Sequence, residues 1–321
     1  WSAGGPSPDG TPASTAAAVP VAGGLGSYLR GLVGRIGKWA GQVALGGERA
    51  ALEIRFIDVA KAESEEIPLK FMQGCFFDRV EASRRWGITK EWRQENAMDT
   101  YLEDNPQPYF DLIKENYPHF WCGRTRGGAT IYVEKTAEIN MTNMTNAGVD
   151  VPILVNYYLF LTEYTWTVLS PAPDGPESKC ISVFDVKGIG LSSINALAWQ
   201  FLSQSTKLLG DHYPERAQQV FVINAPLVFS AVWSLVLPLL PEATRHKVKL
   251  AKSSEVAQLF ASVADPEAIP AEYGGTLAAG PLNRDHPFEA SYREFIYKLN
   301  QEHGFTPPYN SKRYAAEATE S

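Results

Sequence analysis

The chain has 321 residues, of which 45% are hydrophobic and 20% charged, and it carries a formal net charge of −7. That length and apolar share allow a full buried core, one large domain with a smaller one beside it, and exclude a disordered tail. The acidic balance argues against nucleic acid as the main partner, because phosphate binding calls for a clustered basic face. Membrane contact is left to local patches.

Residues 1–24 (WSAGGPSPDGTPASTAAAVPVAGG) are rich in Gly, Ala, Pro and Ser and carry one charge, Asp9, a composition that predicts disorder in isolation. A first residue of Trp rather than Met points to a processed mature form or a fragment. From 26 to 53, Leu29, Leu32, Val33, Ile36, Trp39, Ala40 and Val43 share one helical face, but glycines at 26, 31, 34, 37 and 41 weaken the helix. The segment reads either as a docking surface for this protein or a partner chain, or as a membrane-surface helix. Ile67 to Asn96 is helical in pattern. The following YLEDNPQPYFDLIKENYPHFWCG reads as an aromatic, Pro-broken connector between two units.

Strands and helices then alternate. ATIYVEK after Gly127-Gly128, a helix around 150–169, the strand SKCISVFDVKG and a helix from Leu191 to Leu209 are followed by a strand at 218–224, an apolar helix and a strand near HKVKLA. This order implies an α/β fold, a mostly parallel sheet covered by helices. A last helix is expected from about Pro287 to Asn300. The boundaries are drawn at 1–53 for the extension, 54–115 for a small helical module, 116–280 for the main domain and 281–321 for the final helix and tail.

Between Arg216 and Glu242 run 25 residues without a charge, AQQVFVINAPLVFSAVWSLVLPLLP. A spanning helix needs about 20 apolar residues in one piece, and Pro226, Pro238 and Pro241 leave only Leu227 to Leu237 unbroken. QQVFVIN reads as a buried strand and LVFSAVWSLVLPLL as a helix with no wet face, either central to a core or set against something oily. Other motifs are weak. VFDVKGIGLSS puts Gly188 and Gly190 after a strand, but Ser193 stands at the third glycine position and Asp211 falls at a helix end, so a dinucleotide site is not supported. The five histidines show no metal-ligand spacing, and there is no nucleophile elbow or Walker sequence, so no catalytic residue and no metal site is assigned. Cys75, Cys122 and Cys180 have no paired spacing and read as reduced thiols, which leaves the NMTNMT sequons at Asn140 and Asn143 as coincidence.

The stretch DHYPERAQQVFVINAPLVFSAVWSLVLPLLPEATRHKVKL closely resembles the CRAL-TRIO lipid-binding family, in which a Tyr-Pro-Glu-Arg turn feeds a core strand ending in Asn-Ala-Pro. FDVKG before it, EYGG at Glu272 to Gly275 after it and KEWRQEN around Trp92 extend the likeness over about residues 65–280. The resemblance implies a hydrophobic pocket in the 116–280 domain closed by a movable gate helix, with Leu227, Phe229, Val232, Trp233 and Val236 in the gate. An acyl chain of about 15 methylenes costs roughly 12 kcal/mol to leave in water at ~0.8 kcal/mol per methylene, which a gate of this kind avoids.

In the phosphatidylinositol/phosphatidylcholine exchange branch, the resemblance further implies headgroup contacts from Glu215 and from Thr244 and Lys247 of ATRHK, with Arg216 beside them. The family's basic RFLRARKF is KFMQGCFF here and keeps only Lys70, which implies a weaker phosphate grip. Cys180 and Ser182 occupy the strand where the choline-lipid branch carries hydroxyls, and Tyr158 is a further candidate pocket residue. The expectation is a non-enzymatic phospholipid carrier, of phosphatidylinositol first, with bound phospholipid as ligand and no cofactor. Its partners would be a membrane surface and, through residues 1–53, another protein chain. The cytoplasm is the expected location, with an organelle as the alternative after loss of a targeting peptide. Two other functions stay open: a lipid-binding accessory subunit of a membrane assembly, and a carrier of a tocopherol, sterol or carotenoid.

Overall fold

Alternation with a period of two sorts the side chains of the sheet into two unlike faces. The computed structural model describes residues 66–309, apart from 191, 192, 194, 227, 228 and 281. The expectations for residues 1–53 and for Leu227 lie outside the described residues. Five strands, β1 (His119–Arg124), β2 (Thr130–Glu134), β3 (Cys180–Asp185), β4 (Ala217–Ile223) and β5 (Val248–Ala251), form one sheet in the order β1-β2-β3-β4-β5. β1 runs antiparallel to β2, and every later pairing is parallel. Because parallel crossovers are right-handed and the order always advances in one direction, the connecting helices fall on one face.

Ahead of the sheet come α1 (Leu69–Gly74), α2 (Arg79–Glu95), α3 (Tyr101–Asp104) and α4 (Phe110–Asn116). The single helical pattern expected from Ile67 to Asn96 is thus interrupted. Phe76 and Phe77 turn the chain with positive φ of 52° and 64°, and Asp78 then caps α2 by accepting from the Glu81 N–H. The stretch read as a connector between two units is a structural element of the core. It supplies α3, α4 and the antiparallel strand β1, and Phe110, Tyr117 and Trp121 are fully buried with Tyr157, Tyr164 and Tyr292 in one aromatic cluster. Its prolines hid the strand, which is legal at a sheet edge.

The crossover helices are α6 (Val151–Tyr164), α7 (Ala196–His212) and α8 (Phe229–Val236), with short α5 (Met141–Asn146) before α6 and α9 (Glu242–Arg245) after α8. Asp150 and Asn195 cap α6 and α7 by accepting backbone N–H bonds. The opposite face of the sheet carries Ile131, Val133, Ile181, Val183, Phe221 and Ile223, sealed by Phe260 of α10 (Val256–Ala261) and by Ile269 and Tyr273. Tyr273 stacks on Phe260 and donates to Asp185 at 2.9 Å. The two glycines that follow are sterically required. A Cβ on Gly274 would meet Ala257 Cβ at 2.5 Å, and one on Gly275 would meet the Ile269 carbonyl at 2.1 Å.

The last helix, α11 (Pro287–Glu302), returns to the first elements. Lys114 Nζ donates to Glu289 Oε2 at 2.7 Å and to the His119 carbonyl at 2.6 Å, while Glu289 Oε1 accepts from the Trp121 N–H at 3.0 Å. Burial lowers the Lys114 pKa and raises that of Glu289, so the hydrogen bonds are what keep this enclosed pair tolerable. His119 is held neutral by burial, and its two ring nitrogens contact the Tyr117 carbonyl at 2.7 Å and the Tyr157 hydroxyl at 2.9 Å.

α8 is less uniformly buried than its sequence suggests. Phe229 and Val232 are buried, but Ser230, Ala231 and Ser234 face solvent, so the helix expected to have no wet face has a narrow one of small residues. No described helix is long and apolar enough to cross a membrane.

Candidate functional site

A cavity of about 240 Å³ lies between the sheet and the crossover helices. Its floor is the other half of the strand alternation: Tyr132 and Glu134 from β2, Cys180, Ser182 and Phe184 from β3, and Val220 from β4. Its roof is Tyr158, Leu161 and Thr162 of α6 with Phe201, Leu202 and Leu209 of α7. The middle is therefore apolar, and the polar groups gather at two ends.

At one end Glu134 is enclosed, and burial pushes its carboxyl up to about 7 against the opposing pull of the Tyr117, Tyr132 and Tyr158 hydroxyls. Tyr117 Oη, Tyr132 Oη and Glu134 Oε1 are buried yet close no hydrogen bond of normal geometry. A buried polar atom without a well-formed hydrogen bond costs about 1–3 kcal/mol, so this end of the cavity is kept polar at the expense of stability. A carboxylate ringed by tyrosines is suited to a quaternary ammonium, which the ring faces attract and the carboxylate neutralises. Sequence reasoning named Tyr158, Cys180 and Ser182, and all three line the cavity, but it missed Tyr117, Tyr132 and Glu134. The available signal was Thr130, Tyr132 and Glu134 at alternate positions of one buried strand.

At the other end Glu215, Arg216, Thr244 and Lys247 also line the cavity. Lys247 Nζ donates to Glu215 Oε2 at 2.7 Å, so two of the expected headgroup residues already face each other. Glu215 is held in the turn by a positive φ of 59°. Arg216 donates to the Ser178 carbonyl at 3.0 Å and lies over the Trp166 ring at 4.5 Å, and burial lowers its pKa. A second cavity of about 380 Å³ adjoins this end through Glu215 and Arg216 and adds Lys70, Lys179 and Gln218. Burial and the neighbouring Arg216 bring Lys70 down to about 8.

The expected gate residues are placed differently. Phe229, Val232, Trp233 and Val236 do not border the cavity; they pack against Val186, Val220, Val222 and Val248. Their helix follows the strand directly and lies over the adjoining apolar patch, while the chain after it, at Leu240, Pro241 and Ala243, reaches the cavity wall. Among the described residues no three of His, Cys, Asp and Glu gather to hold a metal ion.

A family model described as the CRAL/TRIO domain matches residues 114–275, half of the chain. The chain belongs to the CRAL/TRIO domain family. Relatives of this CRAL/TRIO chain include the Arabidopsis thaliana phosphatidylinositol/phosphatidylcholine transfer protein SFH7, 25% identical over 219 residues that make up 67% of this chain and 40% of that protein. Another is the SEC14 cytosolic factor of Eremothecium gossypii, 27% identical over 210 residues, 64% of this chain and 68% of that protein. The chain spans about 40% of the length of the SFH7 relative. Among solved structures, the crystal structure of Sfh5 superposes with a TM-score of 0.56, covering 76% of this chain and 81% of that one at 16% identity, a likeness of fold alone.

Proposed function

We propose that this CRAL/TRIO protein takes a phospholipid out of a membrane, encloses it in the cavity and releases it to another membrane, with no chemical change to the lipid. The observation that supports this best is that one cavity has an apolar middle and two unlike polar ends. A choline headgroup would seat its ammonium among Tyr117, Tyr132 and Tyr158 against an ionised Glu134, with Ser182 as a hydroxyl neighbour. An inositol headgroup would place its hydroxyls on Glu215 and its phosphate near Thr244 and Lys247, with Arg216 and Lys70 behind. This is the pair of lipids in the names of the plant relatives. The phospholipid is the ligand, and no cofactor enters the scheme. α8, entered through Asn224 with φ of 58° and Pro226, is the segment that would swing away at a bilayer, a two-state motion biased by contact with lipid.

The name of the Eremothecium relative, a cytosolic factor, supports work in the cytoplasm, as do three buried, unbridged cysteines. Contact of residues 1–53 with a membrane or another chain remains a separate proposal, tested by deleting them and following membrane co-sedimentation. The decisive experiment for the carrier reading is mass spectrometry of an organic extract of protein purified without detergent. Phosphatidylcholine or phosphatidylinositol at near one per chain is the expected result. No phospholipid in repeated preparations from a lipid-rich host would refute it, and a sterol or pigment in its place would reassign the cavity.

A further inference from the structure

The turn between α1 and α2 presents the most exposed large apolar side chains of the described residues, Phe76 at 69% and Phe77 at 63%. The helix that follows continues the pattern. α2 buries Ala82, Ser83 and Thr89, while Val80 and Ile88, two turns apart on one stripe, are each 45% exposed. That is the reverse of a surface helix in water, which hides its branched aliphatics and shows its small polar residues. From this reversal we propose that the Phe76–Phe77 tip, with Val80 and Ile88, is a foot that enters a phospholipid bilayer beside the cavity mouth. The inference rests on the lipid-carrier reading for its purpose, though not for its test.

Three features fix the occupant as a bilayer. The turn is rigid, since the Phe76 and Phe77 N–H groups donate to the Gln73 carbonyl at 3.1 Å and the Met72 carbonyl at 2.7 Å, and so the two rings are held out rather than left loose. It is also tied to the rim. Gly74 and Arg85 line the cavity, and the Arg85 guanidinium donates to the Gly210 carbonyl at 2.6 Å, locking α2 to the end of α7. A Cβ on Gly74 would stand 3.0 Å from Pro214 Cβ, beside Glu215. Whatever the foot enters is therefore brought next to the Glu215 end of the cavity. Finally, the exposed apolar side chains here are four, Phe76, Phe77, Val80 and Ile88, against the roughly 20–30 residues a side of a stable protein interface, whereas aromatic side chains at the level of the headgroups are a common membrane anchor. The collar of Asp78, Arg79, Glu81 and Arg84 sums to zero charge. It suits zwitterionic headgroups and predicts weak salt dependence.

The test uses the full chain and vesicles of phosphatidylcholine alone. Phe76→Ser with Phe77→Ser is expected to lower vesicle partitioning by about ten-fold or more, from the apolar transfer lost, with the melting temperature and the extracted phospholipid unchanged. Partitioning equal to wild type overturns the foot. In a second measurement, Phe77→Cys is labelled with an environment-sensitive dye, the three native cysteines being buried. A blue shift on adding vesicles is expected. Emission already blue before vesicles are added would mean that another part of the chain or a second copy covers the turn, and that result, like the absence of any shift, overturns the proposal. An extract without phospholipid would defeat the carrier reading alone, because the vesicle measurements read the foot independently of what the cavity holds.

Discussion

The two faces of the sheet are made from the same strands, yet one is closed and the other is furnished. On β3, Ile181 and Val183 point into a dry layer with Phe221 and Phe260, while their neighbours Cys180 and Ser182 point into the cavity. On β2, Ile131 and Val133 alternate in the same way with Tyr132 and Glu134. The closed face can be judged by packing alone. The furnished face holds buried polar atoms, Tyr117 Oη, Tyr132 Oη and Glu134 Oε1, that packing alone does not explain.

The contrast breaks first on the closed face. Phe221→Ala should cost about 3–5 kcal/mol of stability, as large-to-small changes in a sealed core do, measured by denaturant unfolding. A loss under about 1 kcal/mol would mean that this face is no more closed than the other.

Next in size is Glu134→Gln on the furnished face, where the effect should depend on pH. With a folded pKa raised to about 7 from 4.5, Glu134 keeps its proton in the folded chain while the unfolded chain gives it up. Wild-type stability should therefore fall between about pH 4.5 and 7, by roughly 2–4 kcal/mol, and the variant should lose that slope. In lipid-stripped protein the variant should match wild type at pH 4.5 and exceed it at pH 8. Its uptake of phosphatidylcholine should be impaired, and wild-type uptake should weaken below pH 7 as the carboxylate needed by the ammonium is neutralised. Parallel stability curves for the two proteins would show that Glu134 is not the titrating group.

Glu215→Ala and Lys247→Ala should each lower phosphatidylinositol loading by about 1–3 kcal/mol, read by lipid competition, while phosphatidylcholine loading stays as it was. Equal losses for both lipids would dissolve the distinction between the two ends of the cavity. The smallest effect belongs to Ser182→Ala, expected within about 1 kcal/mol in stability and in choline-lipid loading, since one hydroxyl among several is removed.

How much of this was readable in advance follows physical lines. β3 and β4 were legible because each carries a short apolar run between turn residues, whereas Glu215, Thr244 and Lys247 were named only through the family resemblance, and the structure places them along the cavity without testing their role. β1 was not legible, since an edge strand among prolines and aromatics has neither a clean alternation nor an apolar run. The Glu134 end was not legible either, because Tyr117, Tyr132 and Tyr158 come from a helix terminus, a strand and a second helix and meet only in three dimensions. α8 was misjudged where serines and alanine, counted as uncharged, turned out to face water.

The Lys114–Glu289 pair has a consequence for the way the protein is made. The partners are 175 residues apart, so a nascent chain exposes the lysine long before its carboxylate has been synthesised. An enclosed ammonium without that partner is costly by several kcal/mol, and the corner formed by α4 and β1 cannot settle early. Ribosome-held chains of increasing length should gain protease resistance only when α11 has emerged. The corner of α4 and β1 is thereby left open until α11 has been made.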